Sequence, residues 1–267
     1  MLKINNLYKT FERGTVNEKA ALKGLSLQLR PDDFATIIGS NGAGKTTLFN
    51  AIAGVFISDE GEIYIDGEDV TFKPETYRAR VVGRIFQNPL MGTAPSLTIE
   101  QNLAIAYSSS KRGFLRPAIS KKDREVFRET LSRLNMGLED RMKTSMGLLS
   151  GGQRQAVTLL MAVIVTPKIL LLDEHTAALD PLTAEKVLEI TKEVVKEKHI
   201  TTLMITHNIA SALHLGNRTL MMDDGNIVLD LMGEERDNLT VEGLLEKYRQ
   251  VKGHILDNDR ILLSQEE

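Results

Sequence analysis

A glycine-rich segment in the N-terminal part of the chain has the residue types that bind phosphate. Residues 39–46 read GSNGAGKT, which fits G-x-x-x-x-G-K-[ST], and they follow a predicted strand and open a predicted helix. The glycines let backbone N–H groups wrap a phosphate, and the helix start adds a favourable dipole. Lys45 is expected to neutralise β- and γ-phosphate charge, and Thr46 to ligate Mg²⁺. The alternative, a plain glycine turn before a helix, is outweighed because every fixed position is present in the right context.

A pair of carboxylates follows a second apolar run. The segment ILLL at 169–172 reads as a buried strand that delivers Asp173 and Glu174 at its end, where α/β sheets place ligands. Successive strand residues point to opposite sides, so the two carboxylates can serve different targets. We expect Asp173 to hold the metal, through water, and Glu174 to act as general base for water attacking a γ-phosphate. The alternative, acidic residues that cap the next element, is weaker beside a phosphate loop because Mg²⁺ needs hard oxygen ligands.

Two further adjacent glycines occur in LSGGQ, residues 149–153. Ser150 and Gln153 have the spacing of a capping box, so this segment could simply start a helix over 154–165. Capping does not explain Gly151 and Gly152, each of which costs roughly 1 kcal/mol relative to Ala inside a helix. We therefore interpret the pair as a place where a ligand approaches the backbone. No Lys or metal ligand is adjacent, so the segment is expected to complete a nucleotide site built elsewhere, for example on another subunit.

The elements that must position these residues alternate along the chain. Strands are predicted at 34–38, 63–65, 169–172 and 202–205, helices at 45–53, at 122–134 and after Asp180-Pro181, and a hairpin at 221–231. Alternation of strands and helices predicts an α/β fold with a mainly parallel sheet and helices on its faces. The stretch from about 88 to 165 has few strand signals and several helical ones, including a capping box at Thr98 and Gln101. It is predicted to be an inserted helical subdomain.

The bulk composition excludes some functions. The 267 residues contain no Cys, so disulfide and thiolate chemistry are impossible, and a net charge of −3 argues against broad electrostatic binding of nucleic acid. The first residues, MLKINNLYKTF, lack the apolar region of a signal peptide. No stretch approaches the roughly 20 apolar residues that span a bilayer. If the protein works at a membrane, we expect another component to hold it there.

The three motifs together resemble the ATP-binding subunits of ABC transporters. Walker A at 39–46, LSGGQ at 149–153 and LLLDE at 170–174 match that family in the right order, over nearly the whole chain. The resemblance implies a P-loop NTPase core with a mainly parallel sheet, N-terminal antiparallel β elements and an inserted α-helical subdomain. It implies one ABC ATPase domain over 1–250, with a RecA-like core at 1–87 and 166–235, a helical subdomain at about 88–165 and a C-terminal tail at 251–267. It also implies that ATP and Mg²⁺ are bound, and that two copies pair head to tail with ATP between Walker A of one and LSGGQ of the other.

The resemblance assigns further residues by position. Gln87 resembles the Q-loop glutamine that contacts Mg²⁺ or the attacking water, and His207 the switch histidine that contacts the γ-phosphate, although a lone His is usually structural. Phe11 resembles the aromatic that stacks on adenine, with a core role and Tyr8 as alternatives. Asp180 resembles the D-loop aspartate and also suits a plain helix N-cap. The implied nucleotide contacts are Phe11, Gly39, Ser40, Asn41, Gly42, Ala43, Gly44, Lys45, Thr46, Thr47, Ser150, Gly151, Gly152, Gln153 and Asp180. The implied catalytic residues are Glu174, His207 and Gln87, and the implied metal ligands are Thr46, Gln87 and Asp173.

One position departs from the family pattern, and two segments resemble one particular subgroup of the family. His175 stands where the family usually has Pro, and we expect a tolerated substitution rather than a ligand. The segments DEHTAALDP and FQNPLMGTAP, the latter at 86–95, resemble a subgroup of tryptophan/tyrosine-type amino-acid uptake systems. In such systems the transported substrate is selected by the permease or a binding protein.

A loop-like stretch carries grouped apolar residues, which often mark an interface. They are Leu90, Met91, Ala94 and Leu97. The resemblance implies that a permease docks near Gln87–Leu97; the alternative is that these side chains fold back into the helical subdomain. The preferred interpretation is an ATPase that powers import of a small solute, such as an amino acid, through a separate permease. Its other partners would be a second copy and a separate substrate-binding protein, with no nucleic acid. It would be peripheral, at the cytoplasmic face of the membrane.

Two other functions are alternatives for this sequence. The first is a soluble ABC-type ATPase acting on the ribosome or DNA. Ribosome-type proteins usually carry two cassettes, and DNA-repair types carry long coiled coils, for which no sustained heptads occur here. The second is a nucleotide-binding regulatory module without turnover. Glu174 argues against it, because binding alone needs no general base.

Overall fold

The computed structural model describes residues 1–88, 90–108 and 119–252. Its described residues form two compact units, one of Met1–Ala79 together with the described residues from Thr201 onward, and one within Arg80–Ile200. The predicted boundaries of a core at 1–87 and 166–235 and a helical subdomain at about 88–165 stay a prediction. Most of the predicted tail at 251–267, from residue 253 on, lies outside the described residues.

The strands and helices of the described residues follow one another in chain order. The strands are β1 (Leu2–Phe11), β2 (Lys19–Leu29), β3 (Phe34–Ile38), β4 (Glu60–Ile65), β5 (Glu68–Asp69), β6 (Val82–Ile85), β7 (Ile169–Asp173), β8 (Thr201–Ile205), β9 (Arg218–Asp223) and β10 (Asn226–Met232). The helices are α1 (Lys45–Ala53), α2 (Glu75–Arg78), α3 (Ile99–Ser108), α4 (Lys121–Ser132), α5 (Gly151–Val163), α6 (Pro181–Glu197), α7 (Ile209–His214), α8 (Glu234–Asp237) and α9 (Val241–Lys252).

The unit that contains both ends of the described chain is built on two sets of strands. An antiparallel sheet has the order β2-β1-β4-β5, which confirms the expected N-terminal antiparallel elements. In the second set, β3 pairs in parallel with both β8 and β9, and β9 turns back into β10. All five residues of β3 and of β8 are buried, as their mostly apolar, β-branched sequences predict for strands covered on both faces.

Among the described residues, the unit Arg80–Ile200 contains a parallel strand pair and the α-helices α3 to α6. Strand β6 lies beside β7 with Ile85 opposite Leu172, so both strands end at the same edge. Helix α5 packs against β6, α3 and α6. The predicted amphipathic helix at 122–134 is α4, which begins one residue earlier behind a capping box of Ser120 and Asp123. The LSGGQ helix begins at Gly151, so both glycines belong to its first turn.

In the part of the chain that the structure describes, no helix combines the length and apolar character needed to cross a membrane.

Candidate functional site

The phosphate-loop residues connect β3 to α1. Gly44 is the N-cap of α1 with φ of 100°, and a Cβ at this position would lie 2.5 Å from the Ala21 carbonyl oxygen, so only glycine fits. Lys45 is buried, and its ammonium donates hydrogen bonds to the carbonyl oxygens of Gly39 at 2.6 Å and Ser40 at 3.0 Å. The loop thus encloses a cation at the N-terminus of a helix, and both features favour an anionic phosphate.

The exposed face of this loop suits a nucleotide. Ser40, Asn41, Gly42 and Thr46 are exposed, whereas Gly39, Ala43 and Gly44 are buried and Thr47 is half-buried. The Thr46 hydroxyl, on the first turn of α1, is therefore available as a metal ligand. Within the described chain no group of three His, Cys, Asp or Glu could hold a metal. Mg²⁺ is usually held by one or two protein ligands together with phosphate oxygens and water, so a single hydroxyl such as that of Thr46 can serve as one of them.

The aromatic candidates for adenine stacking lie on β1. Phe11 is 38% exposed and packs edge-to-face against Phe56, with ring centroids 5.5 Å apart. Tyr8 has a similar exposure of 40%, but its ring lies over Gly24, where a Cβ would come within 2.7 Å of the Tyr8 hydroxyl oxygen. Phe11 remains our candidate.

His207 lies two residues after the end of β8 and two residues before α7 begins, and it is half-buried. Its position at the end of a buried strand agrees with the expectation from the sequence, and its contact with a γ-phosphate stays a prediction.

The ends of β6 and β7 bring together Gln87, Glu174 and Asp173. Gln87 donates from Nε2 to Glu174 Oε2 at 2.9 Å. The Arg84 guanidinium lies 3.9 Å from the Asp173 carboxylate and stacks over the Phe86 ring at 4.5 Å from its centroid. Sequence reasoning missed Arg84, although a lone Arg inside an otherwise apolar strand was a usable signal.

Glu174 has a backbone conformation that is rare for a residue with a side chain. Its φ is 44°, in the left-handed region, and its carbonyl oxygen accepts from the Ala177 N–H at 3.0 Å. Such conformations cost about 1–3 kcal/mol, persist only where the surroundings enforce them, and cluster at active sites. Glu174 is half-buried, so its carboxylate remains reachable.

His175 turns into the interior of its unit. It is 2% exposed, and its Nε2 lies 3.3 Å from Thr191 Oγ1 on α6. Burial lowers the pKa of His175 to about 4, so the ring is neutral at pH 7. This position agrees with a substitution that is accommodated by packing rather than with a ligand.

The LSGGQ segment forms the predicted capping box. Ser150 Oγ accepts from the Gln153 N–H at 3.3 Å, and Gln153 Oε1 accepts from the Ser150 N–H at 3.2 Å. The interpretation that a ligand approaches both glycines stays a prediction, and Gly152 has a packing reason as well. This residue is buried, and a Cβ there would overlap Cγ2 of Thr183 on α6, so helix packing within the chain already requires glycine. Gly151 is exposed and remains available to a ligand.

Asp180 is the N-cap of α6, as predicted. Its side chain accepts a hydrogen bond from the Thr183 N–H at 3.1 Å. The Thr183 hydroxyl, followed by that N–H, holds the pKa of Asp180 below its usual 3.8.

The apolar loop residues divide into two pairs. Leu90 and Met91 are exposed, by 44% and 55%, whereas Ala94 and Leu97 are half-buried. Pro89, inside the predicted docking segment, lies outside the described residues.

The loop is fixed by Asn102 of α3, a residue that sequence reasoning missed. Asn102 is 1% exposed; its Oδ1 accepts from the Ala94 N–H at 2.8 Å, and its Nδ2 donates to the carbonyl oxygens of Ala94 and Thr98, both at 3.0 Å. A buried amide thereby holds the far end of the segment that begins at Gln87.

The chain is similar to proteins of known activity. The sequence profile of the family described as ABC transporter matches residues 22–177. The tyrosine transport ATP-binding protein of Clostridioides difficile is 42% identical over 93% of this chain and 98% of its own length. The xylose/arabinose import ATP-binding protein of Sulfolobus acidocaldarius is 34% identical over 88% and 89%. A dimeric ATP-binding cassette solved in a post-hydrolysis state with ADP and Pi superimposes with a TM-score of 0.75. It is 30% identical, over 87% of this chain and 98% of that one.

Proposed function

The chain belongs to the ABC transporter family, as an ATP-hydrolysing subunit that uses ATP and Mg²⁺. We propose that it drives import of a small solute, such as an amino acid, through a separate membrane permease. The observation that carries this proposal is the hydrogen bond between Gln87 and Glu174. Gln87 begins the segment that exposes Leu90 and Met91 and is fixed at its far end by Asn102. A partner seated on this segment would therefore act on the residue that touches Glu174.

The residues divide the chemistry among them. Glu174 accepts the proton of the water that attacks the γ-phosphate, and Gln87 orients that water or contacts the metal. Lys45 neutralises phosphate charge, Thr46 and Asp173 are metal ligands, and His207 contacts the γ-phosphate. Bound Mg²⁺ supplies further neutralisation of the charge that develops on the phosphate oxygens. Phe11 stacks on the adenine.

A second copy of the chain completes the nucleotide site. The first turn of α5 presents Ser150 and Gly151 to solvent, and its N–H groups suit a γ-phosphate even though no Lys is adjacent. The dimeric state of the structural relative supports pairing of two copies, and in the head-to-tail arrangement that we propose this turn meets the ATP of the partner.

The dimer is tested with a substitution that keeps the cap. Ser150→Asp still accepts from the Gln153 N–H, but its charge would repel a γ-phosphate. We expect unchanged ATP binding by monomers and loss of the ATP-dependent dimer in size-exclusion chromatography. Ser120→Asp, the same change at the N-cap of α4, should dimerise normally. Normal dimerisation of Ser150→Asp would refute the shared site.

The import role rests on the relatives and on the exposed segment. A tyrosine transport protein is among them, which supports an amino acid as the solute, and a separate substrate-binding protein would then deliver it to the permease. The protein would sit peripherally at the cytoplasmic face of the membrane. The alternative of a soluble ATPase acting on the ribosome or DNA has no support from these relatives.

Affinity purification of the tagged full chain from solubilised native membranes tests the import role. We expect a multi-span permease in stoichiometric amount. Met91→Glu should lose the permease while the isolated protein keeps its ATPase activity. Phe72→Glu is an equally drastic change, at a side chain that is 75% exposed in the other unit, and this variant should retain the permease. Co-purification of ribosomal or DNA-bound proteins without a permease would overturn the transport role and leave the ATPase standing.

A further inference from the structure

The residue that follows Glu174 is buried and has no part in the proposed chemistry. His175 points away from solvent and reaches Thr191, in the middle of α6, with a distance of 3.3 Å between Nε2 and Oγ1. Thr191 is itself 1% exposed. The contact therefore ties the chain immediately after the candidate base to a long helix of the same unit.

The hydrogen-bond pattern fixes which atom donates. The Thr191 hydroxyl donates to the Val187 carbonyl oxygen at 2.7 Å, one turn earlier in α6. Its oxygen can then act only as an acceptor toward His175, so the imidazole hydrogen is assigned to Nε2. Nδ1 is buried with no hydrogen-bond partner in the described chain. The ring thus depends on one polar contact, that with Thr191, for its orientation.

The residue directly before His175 is the one with the strained backbone. Glu174, with φ of 44°, comes between the last residue of β7 and His175. A strained residue keeps its conformation only where the surrounding structure enforces it. On one flank β7 is paired with β6, and on the other flank His175 is held by α6.

We propose that His175 is a positioning residue, which, through its hydrogen bond to Thr191, keeps Glu174 in the left-handed conformation that directs its carboxylate to Gln87. The inference rests on the proposed role of Glu174 as general base. His175 itself touches neither nucleotide nor metal. The contact would affect the rate of hydrolysis and leave nucleotide binding intact.

Thr191→Val tests the anchor, because it keeps the shape of the side chain and removes the acceptor. We expect kcat for ATP to fall by about tenfold to 10²-fold, the larger value being the loss that a misplacement of about 1 Å can cause, with KM within about twofold of the wild type. Thr191→Ser keeps the hydroxyl and should restore kcat. His175→Phe, which keeps a buried ring without the donor, should behave like Thr191→Val and provides a second test if one of the two folds poorly.

A double substitution separates positioning from a general structural effect. If the anchor acts through Glu174, Thr191→Val should not reduce the residual single-turnover rate of Glu174→Gln any further. A wild-type kcat in folded Thr191→Val, or an equal loss in both backgrounds, would overturn the inference. If Glu174→Gln loses turnover while Thr191→Val does not, the positioning role of His175 is refuted and the general-base role of Glu174 stands. Wild-type turnover in Glu174→Gln would instead refute both the general-base role of Glu174 and the positioning role of His175.

Discussion

The side-chain amide of Gln87 donates to the carboxylate of Glu174 at 2.9 Å, and the two residues follow the adjacent ends of the parallel strands β6 and β7. They are 87 positions apart in the chain. Their contact follows from parallel pairing, since the carboxyl ends of such strands lie at one edge. A change at either residue is therefore expected to alter the other's orientation as well as its own chemistry.

Glu174→Gln removes the general base while keeping the size of the side chain. Turnover of ATP should fall by about 10²–10⁴-fold, the usual contribution of a positioned base, and ATP affinity should be retained. Steady-state hydrolysis and equilibrium nucleotide binding measure the two quantities. The nucleotide-bound dimer should accumulate because hydrolysis no longer resets it. Glu193→Gln, at an exposed position of α6, is the matched control and should leave both unchanged.

Gly152→Ala should destabilise the protein whether or not nucleotide is present. The new methyl group would overlap Cγ2 of Thr183, and overpacking of this kind costs about 1–3 kcal/mol. Urea unfolding measures the loss. Thr183→Ser removes that methyl group but keeps the hydroxyl, so the double variant should recover much of the stability.

Gly151→Ala is the control for this pair. Its Cβ would lie 3.3 Å from Leu179 Cδ2, the end of a flexible side chain, and the position is exposed. Alanine there should cost little in free energy of unfolding. Equal destabilisation by the two alanines would contradict the packing explanation for Gly152.

The parts of the site that the sequence predicted are those that depend on local pattern. The loop around Lys45, the capping boxes of α3 and α5 and the N-cap at Asp180 each need only neighbouring residues, and all were found as expected. Contacts across the chain carried no such local signal. The close approach of Gly152 to Thr183, which gives that glycine a packing role that its sequence did not reveal, depends on how α5 and α6 pack.

Asn102 and His175 illustrate the same limit. The sequence places an Asn inside an apolar helical pattern and a His after a buried strand. Each position indicates only that a buried polar group needs a hydrogen-bond partner. Which partner it finds is decided by tertiary structure. Asn102 finds the loop around Ala94, and His175 finds Thr191.

Asn102→Leu should loosen the docking segment. The substitution leaves the Ala94 N–H and the carbonyl oxygens that Nδ2 contacts without this partner, and an unsatisfied buried group costs about 1–3 kcal/mol. We expect a lower urea midpoint and faster hydrogen exchange of the Ala94 N–H. Gln101→Ala, one residue earlier on α3, removes only an exposed bond to the Thr98 N–H and should cost less. Undisturbed exchange at Ala94 in Asn102→Leu would show that the amide does not hold the loop.

The N-cap at Asp180 should make the stability contributed by the start of α6 sensitive to acid. Its hydrogen bonds from the Thr183 hydroxyl and N–H lower its pKa in the folded protein below the usual 3.8. A carboxyl group with a lowered folded pKa contributes stability above its unfolded pKa, and loses it as the pH falls through the folded value. Asp180→Asn keeps a capping oxygen that cannot be protonated in this range. On going from pH 7 to pH 3, the wild type should therefore lose more stability in urea than Asp180→Asn. The other carboxylates titrate in both proteins and cancel in this difference, so identical losses would mean that the cap is not linked to pH.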